Sequence, residues 1–372
     1  MLQMYPKDWR AISVTCKRHS IRTLLSPFSR SLRSFVCVSA VGLLASVFGG
    51  NAVADPVRIR GVQYFGDLPT LVGEVERFFE ETGHEVEVGY GLSGKANMEA
   101  LRRGEIDYAL MAVTPFVLDR MADPTPGMNG DPVILANLTH GAPNIKVILR
   151  QDGGGSVTTD PKSLEGRRIG LPLGTNAEYL WSLFAAFHEI DIAEIDLVDV
   201  GPDQIDDALA ANKIEAAVIW APWLEAIEDG LGGPLAEIEG NLGFLYTSRW
   251  VLVTIKGNER AQDHREVVLS SYLRAVDWIQ RNPEAAVNRF HEKWRIGDTA
   301  TGPVSMQDAI FDVTLDWSLH ASYQQQLEWA NGAGYPNTGG TGAFLSGIET
   351  GPLRSLSHSS VLLPKSLEEE TK

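Results

Sequence analysis

The chain has 372 residues, with 32 lysines and arginines against 48 aspartates and glutamates, which gives a formal net charge of −16. This length is sufficient for two domains with separate hydrophobic cores. The excess of acidic residues argues against nucleic acid and anionic membrane surfaces as partners.

The first 54 residues have the features of an export signal. They carry seven basic residues and one acidic residue, and an uncharged, mostly apolar run follows from Ser34 to Phe48. Ala52-Val53-Ala54 then places small residues at both ends of a cleavage site. The apolar run is shorter than the roughly 20 residues of a membrane span. We expect cleavage after Ala54, which leaves a periplasmic mature protein with a net charge of −22.

Neither cysteine lies in the predicted mature protein, because Cys16 and Cys37 both precede the cleavage site. We therefore expect no thiol, no disulfide and no cysteine metal site. The histidines are scattered, and neither an H-E-x-x-H nor a G-x-S-x-G motif occurs in the sequence. These observations favour a protein without catalytic residues, metal or cofactor.

Strand and helix patterns alternate in the first part of the mature chain. Strands are predicted at 57–62, 86–90 and 106–113, and helices at 70–82 and 96–103. This alternation predicts a parallel sheet covered on both faces, with a ligand site beyond the carboxyl ends of the strands. The candidate ligand-binding residues in the loops at that edge are Gln63, Tyr64, Ser93, Gly94 and Thr114.

The stretch 164–181 predicts a strand, a glycine turn and a helix at 177–187. Gly174, Thr175 and Asn176 form the turn, where backbone N–H groups and the helix dipole favour an anion. These three residues are therefore candidate ligand-binding residues. An ordinary strand-to-helix turn has the same pattern, so this alternative stays open.

An internal repeat indicates two similar lobes. The segment 100–107, ALRRGEID, matches the segment 208–215, ALAANKIE, at a constant offset of 108 residues. In each copy a turn residue, Gly104 or Asn212, precedes an acidic residue that enters a strand. We expect these acids, Asp107 and Glu215, to accept hydrogen bonds from the local backbone.

The remaining elements complete the predicted organisation. Lobe 1 is expected to span 55–145 and to return at 246–345, lobe 2 to span 146–245, and a disordered tail to span 346–372. Further predicted strands lie at 133–138, 145–150, 197–200, 216–220 and 244–255, and further predicted helices at 202–211, 222–229, 265–281, 283–294 and 305–327. The chain passages near Ile145 and Leu245 would form the hinge.

Two residues of the second half add candidate ligand contacts. Trp220 follows a predicted strand and can wall an aliphatic or aromatic ligand, with core packing as an equal alternative. Arg249 can bind a sulfonate or carboxylate as a bidentate fork, with a surface salt bridge as the alternative.

These motifs resemble those of substrate-binding proteins that serve ABC importers of the nitrate/sulfonate/taurine type. The family pattern L-x-G-K-x-I-G-V-P-x-G-[ST]-x-x-x-x-L is matched at Leu164, Gly166, Ile169, Gly170, Pro172, Gly174, Thr175 and Leu180. Both copies of the repeat resemble the family's A-L-x-x-G-x-[IV]-D, and 219–223 is similar to its W-x-P-W. The resemblance implies an α/β, two-lobe periplasmic-binding-protein fold (type II). Each lobe would hold a mainly parallel sheet flanked by helices, and a two-strand hinge would join the lobes.

The resemblance also implies a function. A small anion such as an alkylsulfonate, taurine or nitrate would bind between the lobes and be delivered to a membrane permease and its ATPase. Similar proteins bind a pyrimidine vitamin precursor, and aromatic walls also suit quaternary ammonium compounds. The alternatives from other classes are a periplasmic sensor and an enzyme of the same fold, of which the desulfinases need a thiol. We expect a monomeric solute-binding protein that is not an enzyme.

Overall fold

The computed structural model describes residues 55–122, 130–142, 145–150, 159–231, 235–238, 245–294, 306–307, 309–337 and 344–364. The predicted leader and its cleavage site lie outside the described residues. Within these ranges no helix is both long and apolar enough to cross a membrane.

The first lobe is built on a mixed sheet that has six strands in the described part of the chain. In spatial order they are β11 (Ala309–Thr314), β4 (Pro132–Gly141), β10 (Ser248–Ile255), β3 (Tyr108–Ala112), β1 (Val57–Val62) and β2 (Val86–Gly91). β1, β2 and β3 are parallel, whereas β10, β4 and β11 pair antiparallel.

The second lobe is built on a mixed sheet of five described strands. Their spatial order is β7 (Asp196–Asp199), β6 (Arg168–Leu171), β8 (Ala216–Trp220), β5 (Ile145–Leu149) and β9 (Ala236–Glu237). β6, β7 and β8 are parallel, and β5 is antiparallel to both of its neighbours.

Helices pack on both sheets, and each lobe has its own hydrophobic core. The first lobe carries α1 (Leu68–Val75), α2 (Gly94–Arg102), α3 (Val113–Met121), α7 (Glu259–Arg281), α8 (Pro283–Trp294), α9 (Trp317–Gly332) and α10 (Gly351–Leu356), and the second carries α4 (Asn176–Phe187), α5 (Ile205–Ala210) and α6 (Trp223–Leu231). The predicted two-lobe α/β fold is confirmed. The sheets are mixed because β10 in the first lobe and β5 in the second each run antiparallel to both of their neighbours.

Both passages between the lobes leave the first sheet at the same place. β4 ends at Gly141 before the chain enters the second lobe at β5, and β10 begins at Ser248 when the chain returns. Gly141 and Ser248 are paired across these two antiparallel strands. The lobes are therefore joined along one edge, and the carboxyl ends of their parallel strands are free to face each other.

The internal repeat corresponds to the same local structure in both lobes. Gly104 and Asn212 both have positive φ, +70° and +53°. The Asp107 carboxylate accepts a hydrogen bond from Arg58 N at 2.9 Å, and the Glu215 carboxylate accepts one from Arg168 N at 3.0 Å. Both acids bond backbone N–H groups as predicted, but these groups belong to the neighbouring strand, 49 and 47 residues earlier, rather than to the adjacent sequence. Each acid fixes where two parallel strands begin.

Two predictions for the C-terminal part are wrong. The predicted helix 305–327 contains strand β11, in which Phe311 and Val313 are buried against the core and alternate with more exposed residues. The predicted disordered tail instead contains α10, and the segment 344–364 returns to the core through Leu353 and Val361. Backbone bridges from Ile348 to β4 and from Val361 to Leu315 hold this segment in place.

The predicted helix 70–82 is also shorter in the structure. α1 ends at Val75, Arg77 adopts φ +60°, and Phe78 N donates to Gly73 O. The chain turns back here so that the Phe79 ring packs directly on Gly73, where a Cβ would lie 2.5 Å from the ring. Burial of Phe79 thus overrides the local helical pattern.

A carboxylic acid is buried in the loop between β1 and α1. Asp67 is 2 % exposed, and it accepts hydrogen bonds from Val62 N at 2.7 Å and from the Thr70 hydroxyl, which also contacts the Tyr272 hydroxyl. Burial raises the pKa of Asp67 from 3.8 to about 8, and the bonds from Thr70 and Val62 oppose this shift. The side chain is therefore neutral over much of the physiological range.

This burial predicts a pH-dependent contribution to stability. Between pH 3.8 and about 8 the folded state keeps the Asp67 proton that the unfolded state releases, so the free energy of unfolding falls as pH rises through this window. Asp67→Asn keeps a neutral acceptor for Val62 N and removes the titration. Denaturant unfolding of both proteins from pH 4 to 9 should show the wild type losing stability relative to Asp67→Asn up to pH 8. If the free energies of unfolding of the two proteins changed in parallel with pH, Asp67 would not be the origin of the pH dependence.

Candidate functional site

Loops at the carboxyl ends of the parallel strands meet between the two lobes. The first turn of α2 reaches the loop after β6, where Lys95 Nζ donates to Leu173 O at 3.1 Å. Val62, Tyr64, Ala112 and Trp250 of the first lobe belong to the same apolar cluster as Trp220 of the second. The edge that the sequence predicted for ligand binding is thus an inter-lobe cleft.

Six side chains define what we call the cleft cluster: Tyr64, Asn176, Trp220, Tyr246, Ser248 and Trp250. Tyr64 stacks on Trp250 with ring centroids 4.6 Å apart and an interplanar angle of 23°. Gly66 allows this stack, because a Cβ there would lie within 2.7 Å of atoms of both rings.

The tyrosine at the centre of the cluster has polar neighbours from both lobes. Burial raises the pKa of the Tyr246 hydroxyl above its usual value, while the side chains of Ser248 and Asn176 beside it lower that pKa. The Tyr246 ring also packs edge-on against Tyr179 of α4, at 5.0 Å between centroids. Polar and aromatic groups are thus interleaved in the cleft.

Buried polar atoms of this cluster lack hydrogen-bond partners. Among the residues that the structure describes, the buried side-chain atoms without a partner include Asn176 Nδ2, Trp220 Nε1, Tyr246 Oη, Ser248 Oγ and Trp250 Nε1. An unpaired buried donor costs free energy, so such atoms are uncommon in folded proteins. These five atoms at the meeting of the two lobes are therefore candidate hydrogen-bond partners for a ligand.

A small pocket of about 10 Å³ adjoins the cluster. It lies between the stacked pair Tyr64 and Trp250 and the ends of the hinge strands, with Thr139, Gly141 and Ser248 in its wall. Thr139 Oγ1 is a further buried atom without a hydrogen-bond partner among the described residues. The cleft therefore extends to the hinge.

Several predicted site residues have internal roles in the structure. Ser93 caps α2 by accepting from Ala96 N at 3.2 Å, and Thr114 donates to Gln326 Oε1 at 2.6 Å. Gly94 packs on β3, where a Cβ would lie 2.7 Å from Met111 Cβ. Gln63 is half-buried next to Tyr64.

Several donors at the turn predicted to hold an anion are occupied by groups of the turn and of α4. Gly174 N donates to Glu178 Oε2 at 2.6 Å, and Ala177 N donates to Thr175 Oγ1 at 3.2 Å. The Thr175 hydroxyl in turn donates to Pro172 O at 2.7 Å. Of the three turn residues only Asn176 directs an unpaired donor into the cleft cluster.

Arg249 is separated from the cleft cluster. It alternates with Ser248 and Trp250 along β10, so its side chain lies on the opposite face of the sheet. Burial lowers the pKa of its guanidinium, and the nearby carboxylates of Asp316 and Asp312 oppose that shift.

Sequence reasoning missed Tyr246 and Ser248 as site residues. Both lie in the predicted strand 244–255, where Tyr246 precedes β10 and Ser248 begins it. The one signal in the sequence for these two residues is their position beside the predicted hinge passage near Leu245. The structure describes no group of three histidine, cysteine, aspartate or glutamate side chains that could hold a metal ion.

The NMT1-like family matches residues 55–289, which include every residue of the cleft cluster. The chain belongs to the NMT1-like family. The resemblance to nitrate/sulfonate/taurine-type substrate-binding proteins is confirmed by this match and by the relatives described next.

Three relatives of this NMT1-like chain illustrate the match. A protein of Brucella abortus (strain 2308), named only as a supposed binding protein, is 24% identical over 263 residues, which are 69% of this chain and 76% of that protein. The taurine-binding periplasmic protein of Escherichia coli (strain K12) is 31% identical over 120 residues, 32% of this chain and 36% of that protein. The alkanesulfonate-binding protein SsuA from Xanthomonas axonopodis pv. citri, solved bound to MOPS, has a TM-score of 0.61 at 16% identity and covers 76% of this chain and 95% of that chain. At this identity the structural likeness shows the fold.

The position of Trp220 predicts different effects for two substitutions. The side chain is 4 % exposed, so Trp220→Ala should lower the free energy of unfolding by about 3–5 kcal/mol. Trp220→Phe keeps most of the packing and removes an N–H without a partner, so its cost should stay below about 1.5 kcal/mol. Chemical denaturation of the ligand-free protein measures both. A loss for Trp220→Phe as large as that for Trp220→Ala would contradict this expectation.

Proposed function

We propose that this protein is the periplasmic solute-binding component of an ABC importer, and that it binds a small organic sulfonate at the cleft cluster. Membership of the NMT1-like family and the two-lobe fold support the solute-binding role. We infer the ligand class from the set of unpaired polar atoms in the cleft.

The chemistry of these atoms suits an oxyanion. The amide nitrogen of Asn176 and the indole nitrogens of Trp220 and Trp250 can only donate hydrogen bonds, and the hydroxyls of Tyr246 and Ser248 can donate as well. A sulfonate offers three acceptor oxygens and no donor, so it can complete several of these bonds at once. Hydrogen bonds to a charged acceptor are worth about 1.5–3 kcal/mol each.

The aromatic rings favour an organic tail over a bare inorganic anion. Tyr64 and Trp250 stack at the wall of the small pocket, and Trp220 belongs to the same apolar cluster. An alkyl chain buried against such rings contributes about 0.8 kcal/mol per methylene, which nitrate cannot supply. Relatives named for taurine and alkanesulfonate binding support the same class.

We also propose that the ligand is delivered to a membrane permease and its ATPase. The type of family alone supports this part. A desulfinase of the same fold is disfavoured because the described residues contain no cysteine and therefore no thiol nucleophile. The proposed role is capture and release without chemical change.

A ligand panel tests the proposal. We expect thermal-shift stabilisation by taurine, 1-propanesulfonate or MOPS, because a ligand at 100 times its dissociation constant stabilises by about 2.7 kcal/mol. Nitrate, choline and an aminopyrimidine should have weaker effects. Stabilisation by choline or the aminopyrimidine alone would contradict the sulfonate class and favour a cation or a heteroaromatic ligand held by the rings.

A matched pair of variants then tests the site. Tyr246→Phe removes a hydroxyl of the cleft cluster, and Tyr323→Phe removes a hydroxyl that is equally buried and unpaired in the core of the first lobe. Calorimetric titration with the best sulfonate should show about tenfold weaker binding for Tyr246→Phe and no change for Tyr323→Phe. Equal affinity in both variants would place the ligand elsewhere.

A further inference from the structure

The two lobes are bonded to each other at a place separate from the cleft cluster. Tyr335, just beyond α9, donates from its hydroxyl to Glu178 Oε2 in the first turn of α4 at 2.6 Å. One α4 turn further on, Trp329 Nε1 donates to Ser182 Oγ at 2.9 Å. We call Glu178, Ser182, Trp329 and Tyr335 the inter-lobe clasp.

Helix α9 is fixed to the first lobe, so these bonds join two independently packed bodies. Thr114 of α3 donates to Gln326 of α9, and Tyr323 of α9 packs against Phe116 and Phe344. Leu319 and Ala330 of α9 lie in the core of the first lobe. By contrast, α4 belongs to the core of the second lobe.

Glu178 is held in place for this contact by its own lobe. Its Oε2 atom accepts from Gly174 N as well as from Tyr335, both at 2.6 Å. Burial and the Glu178 carboxylate raise the pKa of the Tyr335 phenol, so that phenol stays a hydrogen-bond donor. Gly174, with φ +78°, lets the Lys95 stem of the first lobe pass at 3.3 Å from its Cβ position.

We propose that the inter-lobe clasp holds the lobes together in the absence of ligand, and that Glu178 and Tyr335 set the closed-to-open ratio of the free protein. The clasp uses no residue of the cleft cluster, so the proposal does not depend on the identity of the ligand. Ligand binding then stabilises a closed form that is already populated. The open form, which admits the ligand, is the minor form of the free protein.

The test measures the distance between the lobes in ligand-free protein. The described residues contain no cysteine, so spin labels at Glu99→Cys on α2 and Ala186→Cys on α4, both exposed, report inter-lobe distance by pulsed EPR. Cys16 and Cys37 are removed by export or replaced by serine. We expect one short-distance population without any added ligand.

Variants of the clasp should shift that population. Tyr335→Phe should lower the closed-to-open ratio about tenfold, equivalent to about 1.4 kcal/mol. Combining it with Ser182→Ala should lower the ratio further and make the longer distance visible. Glu178→Ala should act in the same direction, since it removes the acceptor of the Tyr335 hydroxyl.

A matched control separates the clasp from general destabilisation. Tyr90→Phe removes a hydroxyl that donates to Glu74 Oε2, also at 2.6 Å, but within the first lobe. It should leave the distance distribution unchanged. The proposal is overturned if the clasp variants, folded as judged by circular dichroism, keep the wild-type distribution, or if Tyr90→Phe opens the lobes to the same extent.

Discussion

The pairing of Gly141 with Ser248 determines how the two halves of this protein meet. Because β4 and β10 are neighbours in one sheet, the chain leaves the first lobe and returns to it at adjacent positions. Two lobes joined at one edge can move as units, while their strand ends face each other across a cleft. Ser248 begins β10 and also belongs to the cleft cluster, so the hinge and the proposed ligand site share a residue.

The cleft contains neutral hydrogen-bond donors, although the chain as a whole is strongly acidic. The predicted mature charge of −22 opposes an anionic ligand at long range, but salt screens that field within about 8–10 Å. Inside the cleft the nearest groups are N–H and O–H donors and aromatic rings rather than carboxylates. In the proposed function, short-range hydrogen bonds therefore decide the ligand class, whereas Glu178 accepts from Gly174 N at the helix terminus where the sequence predicted an anion.

Much of the fold could be predicted from periodicity and turns. The strand at 216–220 and the helix at 283–294 have the predicted bounds, and the positive φ of Gly104 and Asn212 follows from their turn positions. The errors arise where long-range packing overrides local pattern. Phe79 packing on Gly73 shortens α1, and bridges to β4 and Leu315 order a tail that has no periodicity of its own. The site was harder to predict, since strand-end loops identify Tyr64, Asn176 and Trp220 but cannot show which donors remain unpaired.

In the proposed function, the unpaired polar atoms of the cleft cluster are the ligand-binding groups. A crystal structure of the protein with a bound sulfonate would show whether they are. We expect sulfonate oxygens within hydrogen-bond distance of Asn176 Nδ2 and of at least one of Tyr246 Oη, Ser248 Oγ and the two indole nitrogens. A sulfonate bound elsewhere, with these atoms still unpaired, would contradict it.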